Sequence, residues 1–160
     1  MKKVVIFGNS GSGKSTLARL LSEQHGLAHL DLDSIAWLVQ LTPQRKPLQQ
    51  AAVEIERFTH KNDSWVIEGC YSDLLQLVIP QASEIIFLNL TINACIANAR
   101  ARPWEPHKYQ SKEAQDKNLD MLIDWIGQYE KRQDTFSLMA HELLFTQFNG
   151  KKTRISSNQS

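Results

Sequence analysis

Between residues 8 and 15 the chain reads Gly8-Asn9-Ser10-Gly11-Ser12-Gly13-Lys14-Ser15, with Thr16 next. Glycine, four residues, then glycine, lysine and serine is the spacing of a phosphate-binding loop, met here without a departure. Each residue type has a physical reason. Glycines let the backbone turn with its N–H groups aimed inward and admit phosphate oxygens where a Cβ would stand in the way. A helix starting at the loop adds its unpaired amides and the positive end of its dipole. Lys14 can reach β- and γ-phosphates, and the Ser15 hydroxyl is a magnesium ligand. At ordinary residue frequencies a chain of this length matches the four fixed positions by chance about once in two hundred. Coincidence therefore explains the run poorly. Residues 8–16 are expected to hold a nucleoside triphosphate, with ATP and Mg²⁺ as the pair.

Such a loop needs a strand to deliver it and a helix to leave it, and both are readable. Val4-Val5-Ile6-Phe7 is a short apolar run ending at glycine, the pattern of a buried parallel strand. Residues 15–25 put Leu17, Leu20 and Leu21 on one helical face and stop before Gly26. Further strands are expected at 27–32, 65–67, 84–88 and 152–155. Helices follow from Leu48, Ala51, Ala52, Ile55 and Phe58 behind Pro47, and from Ile92, Cys95, Ile96 and Ala99 behind a Thr91 cap. A long helical region from Leu119 to Leu144 breaks near Gly127 or Asp134, and a short tail follows residue 155. Strands alternating with helices imply right-handed crossovers and a parallel sheet covered on both faces.

Composition narrows the partners. The 160 residues suit one domain, and 18 basic against 17 acidic side chains leave a net charge of +1, with no bulk field to draw DNA. Cys70 and Cys95 lack the spacing of a zinc site or redox pair and read as reduced buried thiols. The five histidines show no metal spacing. No run is long enough for an export signal or a membrane span, so the expected home is the cytoplasm, for a monomer or homodimer.

The loop, the pair Asp31 and Asp33 at the end of the second strand, and the small size together resemble the P-loop kinases of the adenylate kinase and shikimate kinase group. Residues 31–37, the run Trp65-Val66-Ile67-Glu68-Gly69-Cys70-Tyr71-Ser72 and the tryptophan-bearing stretch before Arg132 resemble, more closely, bacterial adenylate-kinase-related proteins often labelled topology modulation proteins. The resemblance spans nearly the whole chain, although only the phosphate loop is specific enough to stand alone. It implies a three-layer α/β/α fold of one domain over 1–160, with five parallel strands in the order 2-3-1-4-5. It also implies a mobile lid at about 101–115 and ATP-dependent phosphoryl transfer.

One departure stands out. Many P-loop proteins end a core strand with an aspartate that supports magnesium, whereas the fourth strand here ends Phe87-Leu88-Asn89. The acid comes from elsewhere or is missing. In the implied strand order Asp31, Asp33 and Glu68 border the loop. By resemblance, Asp31 stands nearer the metal with Ser15, and Asp33 nearer an acceptor hydroxyl. Both aspartates read equally as caps of a helix starting near Ser34. Glu68, Gly69 and Tyr71 are expected at the acceptor, against the alternative of a plain turn with a buried tyrosine ring.

Arg100 and Arg102 lead into the polar, proline-bearing segment, where guanidinium groups would fork onto phosphate oxygens, or else form a solvated basic loop. Arg132, at helical spacing from Trp125 and Tyr129, either reaches inward or makes a surface ion pair. Trp125, Tyr129 and Phe136 read as the apolar stripe of a core helix, in preference to a base-stacking platform. Asn149-Gly150 falls where related kinases place a loop against adenine.

The function these readings point to is an ATP-dependent kinase with a small-molecule or nucleotide acceptor, in which Lys14, Asp33, Arg100, Arg102 and Arg132 act on the transferring group. Its rivals are a regulatory or DNA-associated protein that uses ATP as a switch, and a slow NTPase without an acceptor.

Overall fold

A computed structural model describes residues 1–38 and 44–158; the last two residues of the tail lie outside it. Five strands, β1 (Lys3–Gly8), β2 (Ala28–Asp31), β3 (Trp65–Gly69), β4 (Glu84–Leu88) and β5 (Lys151–Ile155), form one parallel sheet in the order β2-β3-β1-β4-β5. That is the order the resemblance implied. The helices are α1 (Lys14–His25), α2 (Leu48–Lys61), α3 (Ser72–Val78), α4 (Ile92–Ala101), α5 (Lys112–Gly127) and α6 (Leu138–Gln147). The fold is a three-layer α/β/α sandwich.

Alternation along β1 sorts the core into two halves, because successive side chains of a strand point to opposite faces. Val5 and Phe7 join Ile55, Leu74, Leu75 and Leu144 beneath α2, α3 and α6. Val4 and Ile6 join Ala18, Cys95, Ala99 and Ile126 beneath α1, α4 and α5. The central strands β1, β3 and β4 are buried almost throughout, whereas β5 at the edge is exposed and bears Lys151, Lys152 and Arg154. Charge on an edge strand discourages pairing with another chain.

Several sequence expectations are corrected here. Residues 72–78 form α3, a helix of seven residues whose Leu74, Leu75 and Val78 are buried; two turns are too few for periodicity to show. The long helical region divides where a break was expected, into α5 ending at Gly127 and α6, with turns at 128–131 between them. Tyr129, Arg132 and Phe136 therefore do not share a helix with Trp125. Asn149 and Gly150 precede β5, at the sheet end opposite the phosphate loop, so they make no adenine loop.

His141, in α6, ties the chain just after β3 to the turn after α5. It is fully buried, with Nε2 2.8 Å from the Cys70 carbonyl oxygen and Nδ1 2.7 Å from the Tyr129 hydroxyl. A carbonyl can only accept, so Nε2 carries the proton and Nδ1 accepts from Tyr129. Burial pushes its pKa from 6.5 down to about 4. Between those values the unfolded chain binds more protons than the folded one. The stability this neutral imidazole contributes is thus fully present above pH 6.5 and lost as pH falls toward 4, roughly 3 kcal/mol in all. Urea unfolding midpoints are expected to drop steeply over that window, and His141→Gln, which gains no proton, should flatten the slope. An equally steep slope in the variant would place the titration elsewhere.

Candidate functional site

The site opens at the carboxyl ends of β1, β2 and β3. The loop after β1 turns through Gly11 at φ 78° and Gly13 at φ 91°, a left-handed region that favours glycine. At Gly11 a Cβ would stand 2.4 Å from the Cys95 carbonyl oxygen, so no larger residue fits beneath the loop. A Cβ on Gly13 would meet nothing within 4 Å. The loop is packed on its inner side and open on its outer side, the shape of an anion cradle. Ser12 Oγ, buried and without a hydrogen-bond partner among the described residues, is left for a ligand to satisfy. The residues present fit a polyphosphate with its magnesium ion.

One loop residue, Asn9, acts on the fold instead of facing the cleft. The Asn9 side chain is buried and donates to the Ile126 carbonyl at 3.2 Å, pinning the loop to α5. Asn98 of α4 donates to the Gly11 carbonyl at 2.8 Å from below. Ser10, Gly11, Gly13, Lys14, Ser15 and Thr16 all line the cleft, and Lys14 Nζ donates to the Asn9 carbonyl at 2.8 Å. The chain beyond β5 returns to this end, where Ser157 and Asn158 border a side cavity of about 410 Å³ shared with Gly11, Ser12 and Arg102.

Register explains which acid reaches the loop. Ile6 pairs with Glu68, and Glu68 with Asp31, so these side chains share the face covered by α1. Glu68 is buried, and its Oε2 accepts from Ser15 Oγ at 2.8 Å. His29, two residues before Asp31 and so on the same face, stands with Nε2 3.0 Å from that oxygen. The acid opposite the Ser15 hydroxyl is thus Glu68, positioned by an imidazole the sequence reading left unassigned. Its signal was the i, i+2 spacing of His29 and Asp31.

Asp31 caps the turn Leu32–Ser34, accepting from the Asp33 amide at 2.9 Å. Burial first, then Glu68 and Asp33, push its carboxyl up to about 6. Asp33 makes no cap. Its Oδ1 accepts a short hydrogen bond from the Tyr71 hydroxyl, and its Oδ2 lies 3.3 Å from Lys108 Nζ. Burial opposes its ionisation, but Lys108, Tyr71 and Lys14 outweigh that and hold the carboxyl below the usual range. Tyr71 moves upward through burial and the neighbouring Asp33, and stays a proton donor.

Of the sequence-predicted cations, Arg102 lines the cleft and pairs with Glu105 at 3.3 Å. Arg100 lies exposed in the last turn of α4 and borders neither cavity. Arg132 turns inward, stacking its guanidinium 3.5 Å over Trp125 and donating to the Trp125 carbonyl at 2.6 Å, while its Nε and Nη1 are buried without partners. It supports the wall without lining the cleft. The predicted lid is irregular over 102–111 only, since α5 begins at Lys112. From it Lys108, which sequence reasoning missed, reaches Asp33, Asp31 and Glu105 at 3.3, 4.0 and 3.7 Å. Trp125 and Phe136 line the cleft and only Tyr129 is fully buried, so the expected core stripe is part wall.

Among the described residues no group of three or more His, Cys, Asp or Glu side chains could hold a metal by itself, and no helix is long and apolar enough to cross a membrane. Comparison with known proteins places this geometry. The chain is 25% identical over 134 residues to the uncharacterized protein YqaC of Bacillus subtilis (strain 168), covering 81% of this chain and 73% of that protein. A gluconokinase from Sinorhizobium meliloti 1021 aligns over 99% of this chain and 84% of its own, with a TM-score of 0.53 at 14% identity. A shikimate kinase from Acinetobacter baumannii in complex with shikimate aligns over 91% and 93%, with a TM-score of 0.48 at 17% identity. At such identities the gluconokinase likeness speaks to the fold, which is P-loop kinase-like. The AAA domain family matches residues 4–120, from β1 through the phosphate loop and the acids of β2 and β3 into α5, and the chain belongs to that family.

Proposed function

We propose that the protein is a kinase that transfers the γ-phosphoryl group of Mg·ATP to a hydroxyl of a small molecule. One observation carries this reading: a carboxylate, Asp33, hydrogen-bonded by the Tyr71 hydroxyl and 3.3 Å from Lys108 Nζ, lines the same cleft of about 890 Å³ as Lys14 and Ser15. A pure phosphate-binding switch has no use for such a base; an acceptor hydroxyl does.

The loop amides and Lys14 hold the phosphates, and Ser15 with Glu68 behind it would hold the magnesium ion, with Asp31, the register partner of Glu68, contributing a further carboxylate. Bound there, the ion would supply charge neutralisation on the phosphate oxygens. Asp33 orients the acceptor O–H and takes its proton as the new O–P bond forms and the bond from the γ-phosphorus to the ADP oxygen breaks. Lys14 brings positive charge to the transferring group, and residues 102–111, whose Arg102 and Lys108 stay paired with carboxylates, border the same cleft. Those residues also shut out water, which would otherwise hydrolyse it. Gly69 and Tyr71 shape the acceptor wall. The residues quoted from 31–37 and 65–72 support a finer placement beside the topology modulation proteins, as one domain in the cytoplasm.

Incubation with ATP and Mg²⁺ and a panel of hydroxyl acceptors, following ADP release, tests the reading. Acceptor-dependent ADP is the expected result. Turnover stimulated by duplex DNA and by no acceptor would overturn it in favour of a regulatory ATPase.

A further inference from the structure

The acceptor half of the cleft is walled by rings. Trp37 and Trp104 leave 39% and 42% of their surface exposed, and both line the cleft. Each is fixed by its edge. Trp37 Nε1 donates to the Tyr71 hydroxyl at 3.0 Å, and its backbone bridges to Arg45. Trp104 Nε1 donates to the Tyr109 carbonyl at 3.1 Å. With the indole nitrogens satisfied, what both offer a ligand is π surface, held in place before anything binds.

The cations on this side already have partners. Arg45 grips both oxygens of Asp73 at 3.2 and 3.1 Å, Arg102 faces Glu105, and Lys108 stands among three carboxylates. Arg19, on α1 one helical turn beyond Ser15, also lines the cleft. A carboxylate or phosphate placed beside Arg102 or Lys108 would have to compete with the carboxylates these cations already hold. A flat, uncharged ring uses the indole faces and leaves every pair intact.

From this we infer that the acceptor is an uncharged molecule with a planar ring and a free hydroxyl, of the chemical kind of a nucleoside. Its ring lies against Trp37 and Trp104 and its hydroxyl meets Asp33. Sugar acids and nucleoside monophosphates are rejected by their charge. The inference rests on the phosphoryl-transfer reading and narrows it to one substrate class.

The full-length protein with ATP and Mg²⁺ is offered four nucleosides, their 5′-monophosphates, gluconate and shikimate. ADP release is one readout. Calorimetric binding of each compound beside a non-hydrolysable ATP analogue is the other. At least one nucleoside should raise ADP release about tenfold over the basal rate while the charged compounds do not. Trp37→Ala and Trp104→Ala should each weaken nucleoside binding about tenfold, the loss typical of removing a stacking ring, with Trp37→Phe losing less. Trp104 belongs to neither core cluster, so its variant guards against a folding defect. Faster turnover with a sugar acid or monophosphate than with any nucleoside overturns the inference and leaves the kinase reading standing, as do nucleoside constants unmoved in both alanine variants. Nucleoside binding that the variants lose, without ADP release from any acceptor, supports the ring site and overturns the kinase. Neither binding nor stimulated turnover overturns both.

Discussion

Lys14→Ala should lose triphosphate turnover by about a thousandfold or more, together with most triphosphate affinity, because nothing else in the loop carries a full charge to the phosphates. The backbone amides supply direction, but their partial charges face a polyanion whose oxygens repel one another. Lys14 Nζ rests 2.8 Å from the Asn9 carbonyl, a contact within the loop itself, so its loss should leave the fold intact. Equal urea midpoints for variant and wild type would show this. A second consequence is electrostatic. Lys14 helps hold the Asp33 carboxyl below its usual range, so any residual activity should fail at a higher pH on the acid side. Lys14→Arg is expected to rescue little, since a planar fork does not replace a compact ammonium in a close-fitting loop. Calorimetry showing wild-type triphosphate affinity in Lys14→Ala would remove the phosphate assignment altogether.

The sheet and its loop were legible because they rest on local patterns: apolar runs of four or five residues, a glycine at a strand end, an amphipathic stretch with a cap. The strand order came from resemblance, and the structure bears it out. What stayed hidden shares another cause. Glu68 and Ser15 are 53 positions apart, and only strand register brings them to 2.8 Å. Sequence could offer Asp31, Asp33 and Glu68 as candidates but could not rank them. Lys108 lies in an irregular segment with no period to read, and its reach across the cleft to Asp33 spans 75 positions. Arg132 misled for a different reason. Its spacing from Trp125 mimics helical periodicity, but the helix ends at Gly127, and a turn carries the guanidinium back over the indole. Asn9 shows that a motif residue can serve the fold, since its buried side-chain amide donates to the Ile126 carbonyl and borders neither cavity.

Asp33→Asn is the sharper test of phosphoryl transfer, because it separates chemistry from binding. The amide can still accept from Tyr71 and keeps the size of the side chain, so the wall should hold its shape and triphosphate affinity should change little. What it cannot do is take a proton. Transfer is expected to fall by about a hundredfold to ten-thousandfold in kcat, the usual worth of a positioned general base. Tyr71→Phe provides the graded comparison. It removes the donor that favours the ionised carboxylate, so the acid limb of the pH–rate profile should move toward neutrality while the plateau rate survives in part. A merely structural Asp33 would instead lower the stability of both variants and leave that limb where it was. If Asp33→Asn transfers phosphate at the wild-type rate, the base must be sought at Asp31, whose raised carboxyl would then set an activity that rises through pH 6.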